Sequence, residues 1–257
     1  MHFAFCNEAK PAMKAMVFAA GYGRRLRPKT DKIPKALIPI SGRPMIEYSL
    51  LLLSHFGIKE VIINLNHLGS KIEEHLGSGE KLGLKICYSK EEELLDTGGG
   101  LLRARPFLED GTFIVINSDL LIDLPLNDLC AYHLKKKATA TLVLRTDEMA
   151  VKYGLIETAS DGRLQSFLGH SAPHSSPSAL GKFMFTGVQI MEPKVFDYMD
   201  DKNPFSLTRV TYSKMLLQGE PLYGYAYRGY WQDLGTPERI REAEEKLAQG
   251  EVKLHYI

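Results

Sequence analysis

The chain has 257 residues, 44% of them hydrophobic and 25% charged, and its 32 Lys and Arg against 31 Asp and Glu leave a formal net charge of +1. That balance offers no global field for nucleic acid or an anionic membrane, and the composition is ordinary for a globular protein. No apolar run approaches the ~20 residues needed to span a bilayer. Residues 1–12 read as an N-terminal extension: their apolar stretch is too short for a signal peptide, Glu8 and Lys10 follow it, and Met13-Lys14-Ala15 would itself serve as a start. Cys6, Cys87 and Cys130 fit neither a zinc spacing nor a disulfide framework, which points to a reducing cytoplasm.

Strand and helix patterns alternate along residues 13–257. A buried strand is expected over Ala15–Ala20, a helix over Pro44–Phe56 ending at Gly57, and a β-branched strand over Glu60–Leu65. A short helix follows at Ser70–Leu76, a strand at Leu84–Tyr88, a helix start at Gly99–Arg105 and a strand at Thr112–Asn117. Leu126–Lys136 reads as helix, and Ala138–Arg145 alternates as a strand with two unlike faces. The second half carries shorter strands at Gly154–Thr158, Leu164–Phe167 and Lys182–Met191, with a Ser- and Pro-rich mobile loop at His170–Gly181. Helices are expected at Lys194–Met199 and Ser206–Gln218, strands at Leu222–Tyr227 and Tyr230–Gln232, and a last helix at Pro237–Ala248. No linker divides the pattern. It describes one α/β domain with a nucleotide-binding half and a substrate half.

Residues 19–37 hold the densest chemistry. A strand runs into Gly21-Tyr22-Gly23, and six cations follow between Arg24 and Lys35 with Asp31 alone against them. Glycine lets backbone N–H groups approach an anion, so the stretch reads as a cradle for several phosphates. It is not a dinucleotide fingerprint: the third glycine is missing, Leu26 stands where close packing wants Gly or Ala, and the second strand ends in Asn64 rather than an acid. It is not a Walker A loop either, because no Gly-Lys-Ser/Thr follows.

The run Gly21-Tyr22-Gly23-Arg24-Arg25-Leu26-Arg27-Pro28-Lys29-Thr30, with Pro34-Lys35-Ala36-Leu37 behind it, closely resembles the signature of the sugar-1-phosphate nucleotidyltransferases. The resemblance extends from Lys14 to about Leu247 through Gly42-Arg43-Pro44-Met45-Ile46, Thr97-Gly98-Gly99-Gly100, Asn117-Ser118-Asp119, Tyr153-Gly154 and Trp231-Gln232-Asp233-Leu234-Gly235-Thr236-Pro237. It implies the nucleotide-diphospho-sugar transferase fold: a Rossmann-like mixed, mostly parallel sheet flanked by helices in a single domain. The substrates implied are a nucleoside triphosphate and a sugar 1-phosphate, with Mg²⁺ as cofactor. No nucleic-acid or membrane partner is implied.

The resemblance also assigns roles. Arg25 contacts the triphosphate and the leaving pyrophosphate, for which a guanidinium fork suits, and Lys35 places a point charge near the α-phosphate. Arg24, Arg27, Lys29 and Lys32 are expected to be solvated cations that raise the local potential. Ala20, Gly21, Gly23, Asn64, Thr97 and Gly98 are assigned to the nucleotide. Asp119, at the carboxyl end of a buried strand, is either a turn or cap residue or a metal ligand. With Asp233 as a second acid the metal reading prevails, while Thr236 and Pro237 also suit the start of the last helix. Asp123 reads as a turn residue.

For the sugar, the resemblance points to Gly154, Thr186 and Gly187, with Tyr153 and Phe185 beside them. Many relatives carry a Glu-Lys-Pro motif whose lysine meets the sugar phosphate. Here Phe167-Leu168-Gly169-His170 stands instead, leaving Lys182 or His170 as substitutes, although His170 and His174 lie in a loop where solvation is the commoner role. The glycine run and the missing motif look most like N-acetylmuramate-1-phosphate uridylyltransferases of the bacterial cell envelope. Mannose-1-phosphate or heptose-1-phosphate guanylyltransferases come next, since Leu95-Asp96-Thr97 suits both. With ten residues after Leu247, a β-helix acyltransferase domain is not expected. Two other classes compete: a non-catalytic nucleotide-sugar-binding module, which loss of Arg25, Lys35, Asp119 or Asp233 would have favoured, and a metal-dependent glycosyltransferase, which the basic loop opposes.

Overall fold

The computed structural model describes residues 13–146, 155–173, 175, 181–200 and 204–257. In chain order the elements begin with β1 (Lys14–Phe18), then three 3-10 turns inside the basic loop (Arg24–Leu26, Lys29–Asp31 and Lys35–Leu37). A small ribbon, β2 (Pro39–Ile40) and β3 (Arg43–Pro44), leads into α1 (Met45–His55), β4 (Glu60–Leu65), α2 (Gly69–Leu76) and β5 (Lys85–Lys90). Next come α3 (Asp96–Arg103), α4 (Arg105–Leu108), β6 (Phe113–Asn117), β7 (Leu120–Ile122), α5 (Leu126–Lys136) and β8 (Ala140–Arg145). The later half contains β9 (Ile156–Thr158), β10 (Leu164–Phe167), β11 (His170–Ser171), β12 (Gly181–Met191), α6 (Ser213–Leu217), β13 (Leu222–Ala226), β14 (Trp231–Asp233) and α7 (Pro237–Ala248).

The central sheet is mixed. Strands β6, β1, β4 and β5 lie side by side and are all parallel. The long strand β12 then joins antiparallel to β6, and its other contacts, to β8 and β9, are also antiparallel. Strand β13 extends the sheet parallel to β8, while β10 and β11 extend it beyond β9. The α/β fold expected from the alternating pattern is the one observed.

Period-2 alternation explains why both faces are covered. In β1, Ala15 and Val17 face one apolar cluster, with Leu50, Leu53 and Ile72 from the helices on that side. Met16 faces the other, with Leu101 of α3, Phe196 and Tyr212. In β6, Ile114 and Ile116 join the first cluster, and Phe113 and Val115 the second. Neither face of these strands is left to water, so the loops at their carboxyl ends are where polar chemistry gathers.

Several boundaries differ from expectation for identifiable reasons. Strand β1 stops at Phe18, because the Ala19 N–H donates to Asn64 Oδ1 (2.8 Å) instead of continuing the ladder. The helix expected at 194–199 is a 3-10 turn, Pro193–Tyr198, and that at 206–218 opens with a π-helical turn, Leu207–Tyr212, before α6. The expected loop after residue 170 begins with β11, which pairs with β10 through Phe167 and His170. Strand β7 was hidden in the sequence, since only Ser118-Asp119 separates it from β6. Thr236 caps α7 as expected, accepting from the Arg239 N–H (3.4 Å), with Pro237 in the first turn.

Candidate active site

The basic loop is folded tightly rather than hung from the sheet. Gly23 has φ +61°, and a Cβ there would lie 2.9 Å from both Lys35 Cβ and Thr30 Cγ2, so only glycine fits. Thr30 is buried and donates its hydroxyl to the Gly23 carbonyl (3.0 Å). His67 Nε2 meets the Thr30 carbonyl (3.0 Å), and Lys71 Nζ donates to the Lys32 carbonyl (2.8 Å). The loop's cations thereby sort into two groups. Arg24, Arg25 and Lys35 line a cavity of about 370 Å³. Arg27, Lys29 and Lys32 do not line it, and Arg27 is engaged in an exposed pair with Asp31 (3.1 Å).

Ala20, Gly21, Gly23, Asn64, Thr97 and Asp119 line the same cavity. Gly98 does not: its N–H donates to the Phe205 carbonyl (2.9 Å), and a Cβ there would strike the Phe205 ring. It lies behind the wall, where the glycine allows α3 to approach the 204–207 segment. Thr97 ties the same joint, its Oγ1 accepting from the Leu207 N–H (3.0 Å). Asn64 is also more committed than a simple ligand-facing residue. Its carbonyl oxygen holds Ala19, and its Nδ2 donates to Glu91 Oε1 (2.7 Å).

Glu91 escaped the sequence reading because it opens a run, Glu91-Glu92-Glu93, that looks like a solvated acidic surface. It is only 6% exposed. Its other oxygen accepts from the Leu95 N–H (3.0 Å), and burial pushes its pKa up despite the Leu95 and Asn64 hydrogen bonds. A Cβ at Gly100 would lie 2.7 Å from Glu91 Oε1 and 2.9 Å from Asn64 Nδ2. Two of the three clustered glycines, Gly98 and Gly100, thus make room for neighbours. The chain of contacts Ala19–Asn64–Glu91–Leu95 links the phosphate loop to the Asp96-Thr97 wall of the cavity.

Arg25 and Asp119 are shared with a smaller adjoining cavity of about 190 Å³, lined also by Asn117, Phe185, Thr186, Gly187, Trp231 and Asp233. A short antiparallel ribbon, β7 with β14, brings the two acids together: Asp233 sits opposite Leu120, and the Leu234 N–H donates to the Asp119 carbonyl (2.9 Å). Lys35 forms an ion pair with Asp119, and Arg239 with Asp233. Asp233 Oδ1 also accepts from the Gly235 N–H (2.8 Å). A Cβ at Gly235 would lie 2.5 Å from Arg25 Nη2, so this glycine leaves room for the guanidinium.

On the sugar side, Thr186 and Gly187 reach the small cavity, but the Thr186 hydroxyl is committed to the Val143 carbonyl (2.8 Å). Gly187 has φ +90°, and a Cβ would lie 2.7 Å from Asn117 Nδ2. Trp231 Nε1 donates to the Thr186 carbonyl (2.9 Å), and the Arg145 guanidinium stacks 5.1 Å from the Trp231 ring. Tyr153, Gly154 and His174 lie outside the described residues. His170 and Lys182 line neither cavity: His170 is exposed on β11, and Lys182 is exposed on β12 opposite Glu157. Asp123, expected in a turn, receives the His255 N–H (2.9 Å) and pairs with its ring, away from both cavities.

Residues 14–250 match the family model described as "Nucleotidyl transferase". Similar curated proteins include a UTP–glucose-1-phosphate uridylyltransferase of Synechocystis, 33% identical over 94% of this chain and 65% of its own length. A mannose-1-phosphate guanyltransferase of Yarrowia lipolytica is 33% identical over 88% of this chain and 61% of its own. An N-acetylmuramate alpha-1-phosphate uridylyltransferase of Neisseria meningitidis is 34% identical over 90% and 97%. The chain therefore spans less than two thirds of the length of the first two relatives and nearly all of the third. Among solved structures, HddC from Yersinia pseudotuberculosis is 26% identical, with a TM-score of 0.73 over 91% of this chain and 99% of that one. A putative glucose-1-phosphate thymidylyltransferase from Bacillus anthracis has the same fold, with a TM-score of 0.78 at 21% identity over 91% and 94%. The chain belongs to the nucleotidyl transferase family.

Proposed function

We propose that this nucleotidyl transferase family member moves a nucleoside monophosphate from a nucleoside triphosphate to a sugar 1-phosphate and releases pyrophosphate. The observation that carries the reading is the convergence of Arg25, Lys35, Asp119 and Asp233 where the two cavities adjoin. An oxygen of the sugar phosphate attacks the α-phosphorus, forming a new P–O bond. The bond to the β-phosphate bridging oxygen breaks, and its electron pair leaves with pyrophosphate. The nucleophile is already anionic, so the protein's task is to offset repulsion and align the groups rather than to remove a proton.

Each residue suits one part of that task. The backbone of Ala20–Gly23 borders the large cavity and can approach phosphate oxygens closely. Arg25, on the shared border of both cavities, offers a bidentate fork to the phosphates that depart as pyrophosphate. Lys35 is compact, lies beside Asp119 and suits the α-phosphate, whose repulsion with the incoming anion it would reduce. The Thr97 wall and the Asn64–Glu91 bridge border the space left for base and ribose.

Two carboxylates on one small cavity, each already drawing a cationic side chain, are a donor set suited to a hard divalent ion. Asp119 and Asp233 would hold Mg²⁺, with phosphate oxygens and water completing its shell. Mg²⁺ there would supply charge neutralisation that Lys35 and Arg239 supply only in part.

For the substrates, UTP with N-acetylmuramate 1-phosphate is the preferred pair. Two of the three named relatives act on UTP by their names, and one of those names N-acetylmuramate. GTP with mannose or heptose 1-phosphate is the second reading, favoured by the guanyltransferase relative and by the structure of HddC complexed with GMP-PN. Measuring Mg²⁺-dependent pyrophosphate release for four triphosphates against several sugar 1-phosphates tests both. Release with at least one pair is expected; silence from every pair would leave the non-catalytic binding module in its place.

A further inference from the structure

A third cavity, of about 510 Å³, adjoins the sugar side and shares Trp231 and Asp233 with the small cavity. Four cations line it, Arg145, Arg228, Arg239 and Lys246, against the acids Asp233 and Glu242. The acids are already matched: Arg239 pairs with Asp233, and Lys246 with Glu242 (2.5 Å). That leaves two arginines in excess. Arg228 is exposed and makes no ion pair or hydrogen bond among the described residues. Arg145 is held in place, its guanidinium stacked on Trp231 and its Nη1 donating to the Trp231 carbonyl (3.2 Å). A guanidinium fixed by stacking loses little freedom on meeting an anion, and one bond to a carbonyl does not exhaust its five N–H donors. The Tyr230 hydroxyl in the same wall is buried without a hydrogen-bond partner among the described residues, so it is already desolvated for a partner that accepts.

We infer that this cleft reads a carboxylate carried by the sugar, separate from the reacting phosphate, and so selects an acidic sugar 1-phosphate over a neutral one. The inference rests on the nucleotidyl-transfer reading and deepens it. Glucose and mannose carry no such group, whereas N-acetylmuramate carries a lactyl carboxylate. A planar guanidinium matches that group bidentately. The reacting phosphate belongs on the other side of Trp231, at the Asp119–Asp233 junction, so the cleft is positioned for a second charge.

The decisive comparison uses N-acetylmuramate 1-phosphate and its lactyl amide, which has the same shape without the charge. With the complete chain, Mg²⁺ and the triphosphate that turns over, kcat/KM should favour the acid by about tenfold or more, the scale of one charge-assisted hydrogen bond. Arg228→Ala should bring that ratio close to unity, and Arg228→Lys should restore part of it. Arg145→Gln should lower it as well. A wild-type ratio near unity, or a ratio untouched by both Arg228→Ala and Arg145→Gln, overturns the inference. An equal fall for acid and amide in Arg145→Gln, with the ratio kept, overturns it too, because the cleft would then hold the reacting phosphate. If no pair of substrates turns over, nucleotidyl transfer fails as a reading. Calorimetric binding of the acid and the amide, without triphosphate, then still tests the cleft: preference for the acid supports it and equal affinity rejects it.

Discussion

The two sides of the site are built differently. On the nucleotide side, parallel strands buried on both faces end in loops fixed by short contacts: Gly23 against Lys35 and Thr30, Ala19 on Asn64, Asn64 on Glu91. Little there can move without breaking a hydrogen bond or a packed contact. On the sugar side the sheet is antiparallel, and the cations stand on long side chains around Trp231, with Arg228 reaching into solvent. Rigid backbone suits a triphosphate, whose geometry is the same in every cycle. Side-chain reach suits an acceptor whose identity has to be discriminated. The difference teaches that reaction type and substrate choice are held by separate parts of one sheet, which meet at Asp119 and Asp233.

Mutations at the meeting point should have the largest effect. Asp119→Ala and Asp233→Ala should each lower Mg²⁺-dependent pyrophosphate release about a thousandfold or more, while circular dichroism shows a folded protein. Full activity in Asp233→Ala would detach the sugar side from the chemistry. On the nucleotide side, Arg25→Ala should cost about a hundredfold in kcat, and Arg25→Lys should recover only part, since a point charge replaces a fork. Were Arg25→Ala to raise only the sugar KM, that residue would belong to the other region.

Gly98→Ala separates packing from ligand binding within the nucleotide side. The added methyl meets Phe205, so thermal melts should report a loss of about 1–3 kcal/mol, with a smaller change in the triphosphate KM. Unchanged melting with a raised KM would return Gly98 to the cavity wall.

The smallest effect is a pH dependence. Burial raises the Glu91 pKa, so the native state holds this proton more tightly than the unfolded chain. Its contribution to stability is complete below the ordinary carboxylate range and is lost as pH rises through the folded value. Melts of the wild type against pH should contain that falling component, and Glu91→Gln should lack it. An identical slope in both proteins would place the ionisation elsewhere.

Much of this architecture was readable in the amino-acid order, for physical reasons that also explain the gaps. Glu60–Leu65 and Leu126–Lys136 match expectation residue for residue, because β-branched continuity and a helical stripe are local signals. The cradle was legible because glycine and clustered cations have few other uses. What escaped depends on distant partners. Nothing near Glu91 in the chain marks it as buried; Asn64 and Gly100 do that from elsewhere. Gly98 looked like nucleotide contact because its role is set by Phe205, more than a hundred residues on. Arg145 and Arg228 lie in unremarkable stretches and become a pair only when β8 and the loop before β14 come together.

The ribbon of β7 and β14 has one more consequence. It unites residues 119 and 233 through three facing positions, so neither acid finds its companion until almost all of the catalytic sheet has been threaded. A chain stalled during synthesis, or a partly folded one, could complete the glycine turn and still lack the second carboxylate. The place where phosphates exchange is thus also a checkpoint for completed folding, and a half-made protein cannot assemble both acids of the site.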